Sequence, residues 1–344
     1  MTRHSRSPAS HRLNGFSLIE LLVSMTIGLV IVVAAGSAYL GASTAGKVTD
    51  AQSRMNEDGQ AALNLLAQHL RMAGTNPNRT NRDPAYARNP VYVASYVGGE
   101  KTAYADMTLS SPAPTLSPFS IRGCDGTFTV STVGDTDISV LTCAAGANTL
   151  PDSIAVSYEA DRYNTVPTAG GLPTDCLGNT LPVITAGLPL PLLANSTSAT
   201  FSVAVNRFYI ATSGSVAAPT LFCKGNGGTS PVAPQPLVEN IEDMQFTYGT
   251  VGAAATLATD AAAGYLTADE IVNQANLALL PLADRWGKVL SIRICVLVRS
   301  ENPSAPDAAS ARYDDCQGNR DVAAPDLRLR RAYSTTVVLR NRRL

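Results

Sequence analysis

Hydrophobic positions along the chain fall into three regimes. From Leu21 to Gly46 no residue is charged. As a helix, that run would measure about 39 Å, enough to cross a bilayer core of about 30 Å. The next segment, KVTDAQSRMNEDGQAALNLLAQHLRMAG, switches to a spacing of three and four. Met55, Ala62, Leu63, Leu66 and Leu70 form one stripe, while Arg54, Glu57, Asp58, Gln60, Asn64, Gln68 and Arg71 lie mostly elsewhere. Gly74 followed by TNPN ends the pattern. One helix over residues 17–73 is predicted, lipid-like in its first half and amphipathic in its second. Gly28, Gly36, Gly41 and Gly46 each weaken such a helix by about 1 kcal/mol in water, a loss that lipid or a packed bundle tolerates.

Beyond Gly74 the period drops to two. In VLSIRICVLVRS, Leu290, Ile292, Ile294, Val296 and Val298 point one way and Ser291, Arg293, Cys295, Leu297 and Arg299 the other, the pattern of an antiparallel strand. Shorter runs of this kind are SIAVSYEA (153–160), FSVAVNRFYIAT (201–212), MQFTYGT (244–250) and YSTTVVLR (333–340). In 201–212 the apolar phase slips between Val205 and Phe208, which predicts a bulge or break. Residues 98–120 and 164–198 are polar and proline-rich and are predicted as long loops. No internal repeat is evident. The predicted fold is α+β, with a long N-terminal helix, a transmembrane half followed by an amphipathic half, packed on a β-rich antiparallel-sheet head.

Composition narrows the class. Of 344 residues 15% are charged and 45% hydrophobic, which fits neither a disordered chain nor a multi-span membrane protein. Basic and acidic side chains nearly cancel at 26 against 27, so no basic face for nucleic acid is expected. The charge is uneven, however. Arg3, Arg6 and Arg12 stand with His4 and His11 before the apolar run, and no acid accompanies them. That asymmetry predicts an N-terminus in the cytoplasm and the bulk of the chain across the membrane.

Glu20 interrupts the entry to the apolar run. Ser17 and Glu20 fit the S-x-x-E capping box, in which the carboxylate reaches back to a free backbone N–H and complements the helix dipole. A cap is worth about 1 kcal/mol, whereas a charge deep in lipid costs about 2.5–3.5 kcal/mol. Capping leaves the preceding glycine and basic leader unexplained. An ordinary signal peptide is the other plain reading, with cleavage near Ala38 or Ala45, but its apolar region is usually shorter and uncharged at its start.

The stretch G-FSLIELLVSMTIGLV closely resembles the type III signal of type IV pilins and pseudopilins. The resemblance implies that prepilin peptidase cuts between Gly15 and Phe16, that Phe16 is then N-methylated, and that Glu20, fifth in the mature chain, serves assembly. A residue without Cβ suits a tight protease site, and Glu20 gains a buried partner if it pairs with the α-ammonium of a neighbouring subunit's Phe16. The remainder is similar to the PilW family of minor pilins in MNEDGQAALNLLAQHLRMAG (55–74), RGCDG (122–126), PLVENIEDMQFTYG (236–249), RWGKVLSIRICVLVRS (285–300) and RAYSTTVVLRNRR (331–343). These stretches are spread along the full length, and a minor departure is the Asp-Gly in NEDGQAAL, where the resemblance leads one to expect Asn-Gly-Arg. The implied organisation is a removed leader at 1–15, a long helix at 16–74 with its transmembrane part about 18–40, and an extracytoplasmic head at 75–344.

Six cysteines follow the apolar run: Cys124, Cys143, Cys176, Cys223, Cys295 and Cys316. An even number behind a membrane-targeting segment favours an oxidising compartment, and no C-x-x-C supports zinc. Of fifteen possible connectivities, nearest-neighbour pairing is expected, with Cys176–Cys223 tying down the 164–198 loop.

Little supports catalysis. His69 is the one histidine behind the leader, and its place on the amphipathic helix suits packing or a polar face. There is no G-x-S-x-G, H-E-x-x-H or phosphate-binding glycine loop, and GDTD and YDDC read as solvated turns. Trp286 is expected in the core. Arg328, Arg330, Arg331, Arg340, Arg342 and Arg343 suit either a subunit interface or a solvated defence of the last strand, their alternation favouring the latter.

The expected role is that of a non-enzymatic minor pilin without cofactor or metal, which primes fibre assembly and sits in the tip complex. It would be a single-pass inner-membrane protein with a periplasmic head before assembly, and part of the pilus afterwards. Implied partners are the other minor pilins, the major pilin, a large tip adhesin, prepilin peptidase and the inner-membrane assembly platform. The alternatives are a minor pseudopilin of a type II secretion system and a secreted enzyme or binding protein.

Overall fold

The structure is a computed structural model that describes residues 17–75, 94–97, 100–104, 120–129, 138, 141–144, 150–187, 198–213, 216–228, 233–251, 262–275, 277, 282–339 and 341. Two compact units divide the chain at residues 1–50 and 51–344. The first helix, α1 (Leu18–Met72), begins in one and ends in the other.

Within the larger unit, α1 buries Met55, Gly59, Ala62, Leu66, Ala67 and Leu70. This is the expected stripe, widened by Gly59 and Ala67, with Leu63 only partly covered. Leu66 and Leu70 are completely buried, each contributing about 2 kcal/mol of burial. The helix stops where Gly74 turns left-handed (φ 70°), and the Ala73 and Thr75 N–H groups take the Leu70 and Met72 carbonyls. The Gly74 N–H then donates to the Ser157 carbonyl and the Glu159 N–H to the Thr75 carbonyl, so the helix exit is stitched to a strand.

Two antiparallel sheets build the head. Strands β1 (Ala94–Val97) and β2 (Glu100–Tyr104) form a separate ladder. The first sheet runs β3 (Ile121–Cys124), β4 (Ser153–Ala160), β6 (Ser198–Ser213), β7 (Val216–Lys224), β8 (Gln235–Glu239), with β5 (Ile184–Gly187) paired on β6. The second runs β10 (Gly264–Leu266), β9 (Ile241–Thr250), β11 (Val289–Arg299), β14 (Arg330–Val338). Only Asn240 separates β8 from β9, and its left-handed φ of 63°, which asparagine tolerates, carries the chain from one sheet to the other. Two short helices, α2 (Ala268–Asn273) and α3 (Leu282–Gly287), lead into β11, and a small hairpin, β12 (Arg312–Tyr313) with β13 (Val322–Ala323), decorates the link to β14.

The alternation in β11 holds in part: Ile292, Ile294, Val296 and Val298 are buried on one side and Arg293 is exposed on the other, but Ser291 and Leu297 on that other side are buried too and Leu290 is only half-buried. Three expectations fail. The phase slip in 201–212 is not a bulge, because β6 pairs with β4 in unbroken register from Ile154–Phe208 to Ala160–Ser202. Both faces of β6 are covered there, so Asn206 and Arg207 are buried beside apolar neighbours and the two-residue period disappears. For the same reason all eight residues of β4 are buried. The regions predicted as loops contain β2, β5 and a Thr174–Thr180 bridge. Residues 134–137, the GDTD stretch, lie outside the described residues.

Candidate assembly site

The helix N-terminus is set by its first backbone bond, in which the Leu21 N–H donates to the Ser17 carbonyl at 3.2 Å. Ser17 therefore stands at the N-cap and Glu20 at the third helical position, the register a capping box requires. Every residue from Ser17 to Lys47 is exposed, including Leu18 at 78% and Val32 at 71%, and Glu20 is the single charge between Ser17 and Gly46. Four hydroxyls in this run bond to carbonyls of the helix itself. Ser24 donates to the Glu20 carbonyl at 2.8 Å, Thr26 to Val23 at 2.8 Å, Ser37 to Ala34 at 2.9 Å and Thr44 to Leu40 at 3.0 Å. The segment is long and apolar enough to cross a membrane. The Glu20 carboxylate is its one charged group, and a charge moved out of water demands a partner. Gly15 and Phe16 lie outside the described residues.

The second half of α1 anchors the head at two places. Near its middle, Gly59 faces the ring of Tyr333 in β14, and a Cβ there would stand 2.6 Å from Tyr333 Cδ2. The Tyr333 hydroxyl donates to Asn56 Oδ1 at 2.6 Å. One turn from its end, His69 Nδ1 lies 3.3 Å from the Tyr158 hydroxyl and 3.2 Å from Asn206 Nδ2, with its ring centroid 5.2 Å from that of Phe208. Burial lowers the His69 pKa to about 4, offset in part by the charge of Asp175. His69 is thus a packed, neutral member of a polar cluster and bridges the helix to β4 and β6.

The stretch RGCDG forms a junction of the two sheets and α2. Arg122 Nη1 donates to the Ile138 carbonyl at 3.2 Å. A Cβ on Gly123 would overlap the Tyr248 hydroxyl, so only glycine lets that fully buried ring sit there. Trp286 meets the same ring edge-on at 5.0 Å and is 1% exposed, as expected for a core residue. Cys124 is bonded to Cys143. Asp125 accepts from the Ala268 and Asp269 N–H groups at 2.8 and 3.0 Å, capping α2 from outside while Thr267 and Glu270 close a capping box within it. Gly126, with φ of 114°, donates to Asp152 Oδ1 at 3.1 Å, and the Phe246 N–H donates to Asp152 Oδ2 at 2.7 Å. Burial dominates and pushes the Asp152 pKa up to about 8, against the pull of those two N–H groups.

Cys176 is bonded to Cys223 and Cys295 to Cys316, so all three bridges join nearest neighbours in sequence. The arginine-rich end departs from a solvated edge at one position. Arg330 is buried and ion-paired, with Nε 2.5 Å from Glu242 Oε2 and Nη1 2.7 Å from Asp326 Oδ1. Those bonds to Arg330 lower the Asp326 pKa to about 2. The reason is its neighbours: two carboxylates face an inward position that the alternation alone treats as exposed. Arg331 is exposed, its guanidinium 5.5 Å from the Tyr333 ring. Arg340, Arg342 and Arg343 lie outside the described residues.

Sequence reasoning missed the Asn56–Gly59–Tyr333 contact, although NEDG and RAYS were both singled out. Among the described residues, no group of His, Cys, Asp and Glu side chains suits a metal ion.

Residues 207–341 match the family model described as type IV pilus-assembly protein W. Residues 11–36 match the prokaryotic N-terminal methylation motif. Among solved structures the chain is similar to a type IV-like pilin from Thermus thermophilus at 11% identity, covering 56% of this chain and 80% of that chain with a TM-score of 0.24. No curated protein matches. The first match spans the chain from the middle of β6 to three residues past β14, and both anchor points of α1, through Tyr333 and Phe208, and the RGCDG junction, through Tyr248, touch residues inside it.

Proposed function

We propose that this chain is a minor pilin of the PilW type that primes assembly of a type IV pilus and occupies the tip complex. The observation that carries the reading is the union, in one polypeptide, of the methylation motif on an exposed apolar helix and a PilW-type segment bound to that helix's second half. The role is structural and needs no catalytic group.

In this reading the leader 1–15 leaves by cleavage between Gly15 and Phe16, and Phe16 becomes the methylated terminus. Before assembly the helix spans the inner membrane with the head on the periplasmic side, where the three disulfides form. During assembly the helix leaves lipid for a bundle of like helices. Moving the Glu20 carboxylate into that bundle is unfavourable unless it meets a positive charge, and the α-ammonium of a neighbouring subunit's first residue supplies one. The head, docked on residues 55–73, sets which neighbours fit. Its partners are the other minor pilins, the major pilin and a large tip adhesin, with prepilin peptidase and the assembly platform acting earlier. A head of this size suits a terminal position, since repeated packing along a shaft would crowd it.

Electron microscopy of pili labelled with antibody to the head tests the position. Label at fibre ends, with fewer pili in a deletion strain, is expected. Regular labelling along the shaft would overturn the tip assignment.

A further inference from the structure

The five residues Asp175-Cys176-Leu177-Gly178-Asn179 recur as Asp315-Cys316-Gln317-Gly318-Asn319, a D-C-x-G-N repeat 140 positions apart. The two copies adopt one geometry. In the first, Asp175 Oδ1 accepts the Leu177 and Asn179 N–H groups, both at 2.9 Å, and the Asp175 N–H donates to the Asn179 carbonyl at 3.0 Å. In the second, Asp315 Oδ1 accepts the Gln317 and Asn319 N–H groups at 3.0 and 2.8 Å, and the Asp315 N–H donates to the Asn319 carbonyl at 3.0 Å. The asparagine side chain reaches Oδ2 of its aspartate in both, at 3.4 and 2.8 Å. Gly178 and Gly318 both take positive φ, 78° and 91°. Each turn tips a short hairpin, the Thr174–Thr180 bridge in one case and β12–β13 in the other.

Each turn also delivers its cysteine to a strand inside a different sheet. Cys176 bonds Cys223 of β7, flanked by β6 and β8, and Cys316 bonds Cys295 of β11, flanked by β9 and β14. Neither cysteine of the third bridge, Cys124–Cys143, lies in a D-C-x-G-N sequence.

We propose that D-C-x-G-N is a self-closing turn that presents Cys176 and Cys316 for oxidation and so directs two of the three disulfides to their native partners. Its hydrogen bonds span five residues, so it forms within about a microsecond, long before disulfides close in seconds to hours. When oxidation begins, the backbone around each turn cysteine is already fixed, and closure waits only for the strand that carries the partner. Each closure converts two thiols to one disulfide. The two electrons and two protons pass to an external disulfide, which leaves as two thiols. A turn that merely braces the finished head would add stability without altering the order or choice of bridges.

The test follows bridge formation in the full-length chain in detergent, reduced and denatured, then refolded with oxidised glutathione, acid-quenched, alkylated and mapped by peptide mass. In Asp315→Ala the Cys295–Cys316 bridge should form about fivefold more slowly, the factor that loss of one typical hydrogen bond's net contribution brings. Cys316 should appear in non-native pairs, while Cys124–Cys143 keeps its wild-type rate. Asp315→Asn retains an acceptor oxygen for both N–H groups and should restore the rate. Wild-type rates and pairing in Asp315→Ala, or equal slowing of all three bridges, would overturn the proposal.

Discussion

The ring of Tyr333 rests on Gly59 so closely that the helix position admits no side chain. With the tyrosine hydroxyl on Asn56, this contact ties the last strand of the second sheet to the helix that carries the N-terminal methylation motif. Gly59→Ala should therefore destabilise the head by about 1–3 kcal/mol through overpacking, although alanine is the better helix former. Tyr333→Phe should remove about 1 kcal/mol, the hydrogen bond alone. Thermal unfolding of the full-length chain in detergent, followed by circular dichroism, ranks the two.

At the RGCDG junction the cost should be larger. Gly123→Ala drives a methyl group into the Tyr248 hydroxyl, and that ring is fully buried against Trp286. A loss of about 3 kcal/mol or more is expected, with tryptophan fluorescence reporting the displaced contact. Asp125→Ala leaves two N–H groups of α2 unpaired and should cost about 1–2 kcal/mol.

Two desolvated groups, half-buried His69 and buried Asp152, give opposite pH dependence. His69 has its folded pKa lowered to about 4, so its contribution is present above the unfolded value near 6.5 and is lost as pH falls through 4, up to about 3 kcal/mol. Asp152 has its folded pKa raised to about 8, so its contribution is present below the unfolded value near 3.8 and is lost as pH rises through 8. Urea midpoints from pH 4 to pH 8 should show His69→Gln losing the fall in stability on the acid side. An unchanged acid limb in that variant would remove His69 from the account.

Removing Arg330 should do more harm than its surface-charge reading implies. Arg330→Ala empties a buried site and takes the partner from Glu242 and Asp326, which are both partly exposed, a loss of about 2–3 kcal/mol. Arg331→Ala, on an exposed side chain, should shift stability by less than about 0.5 kcal/mol.

The helix was legible because its two halves carry unmistakable periods and Gly74 punctuates the end. The β11 alternation was legible from Ile292 to Val298, where one face is fully covered and the other is open at Arg293. In β4 and β6 the period vanishes because both faces are covered, and a buried Asn206 that serves His69 looks in sequence like a break. Arg330 and Gly59 were hidden because their partners, Glu242, Asp326 and Tyr333, are distant in sequence and nothing local announces them. The D-C-x-G-N repeat was visible in the letters, but a five-residue period-free repeat gives no hydrophobic signal.

Glu20→Ala should leave membrane insertion intact, since it removes a charge from an otherwise apolar segment. Incorporation into pili should be lost when fractions are probed by antibody to the head. Normal incorporation would return Glu20 to the role of a helix cap.

The most direct measurement is the mass and sequence of the mature N-terminus of the membrane-bound protein. A chain beginning at N-methylated Phe16, fifteen residues shorter than the translated sequence, is the predicted result. A start beyond most of the apolar run, for example at Tyr39, would contradict the assembly of this protein as a pilin.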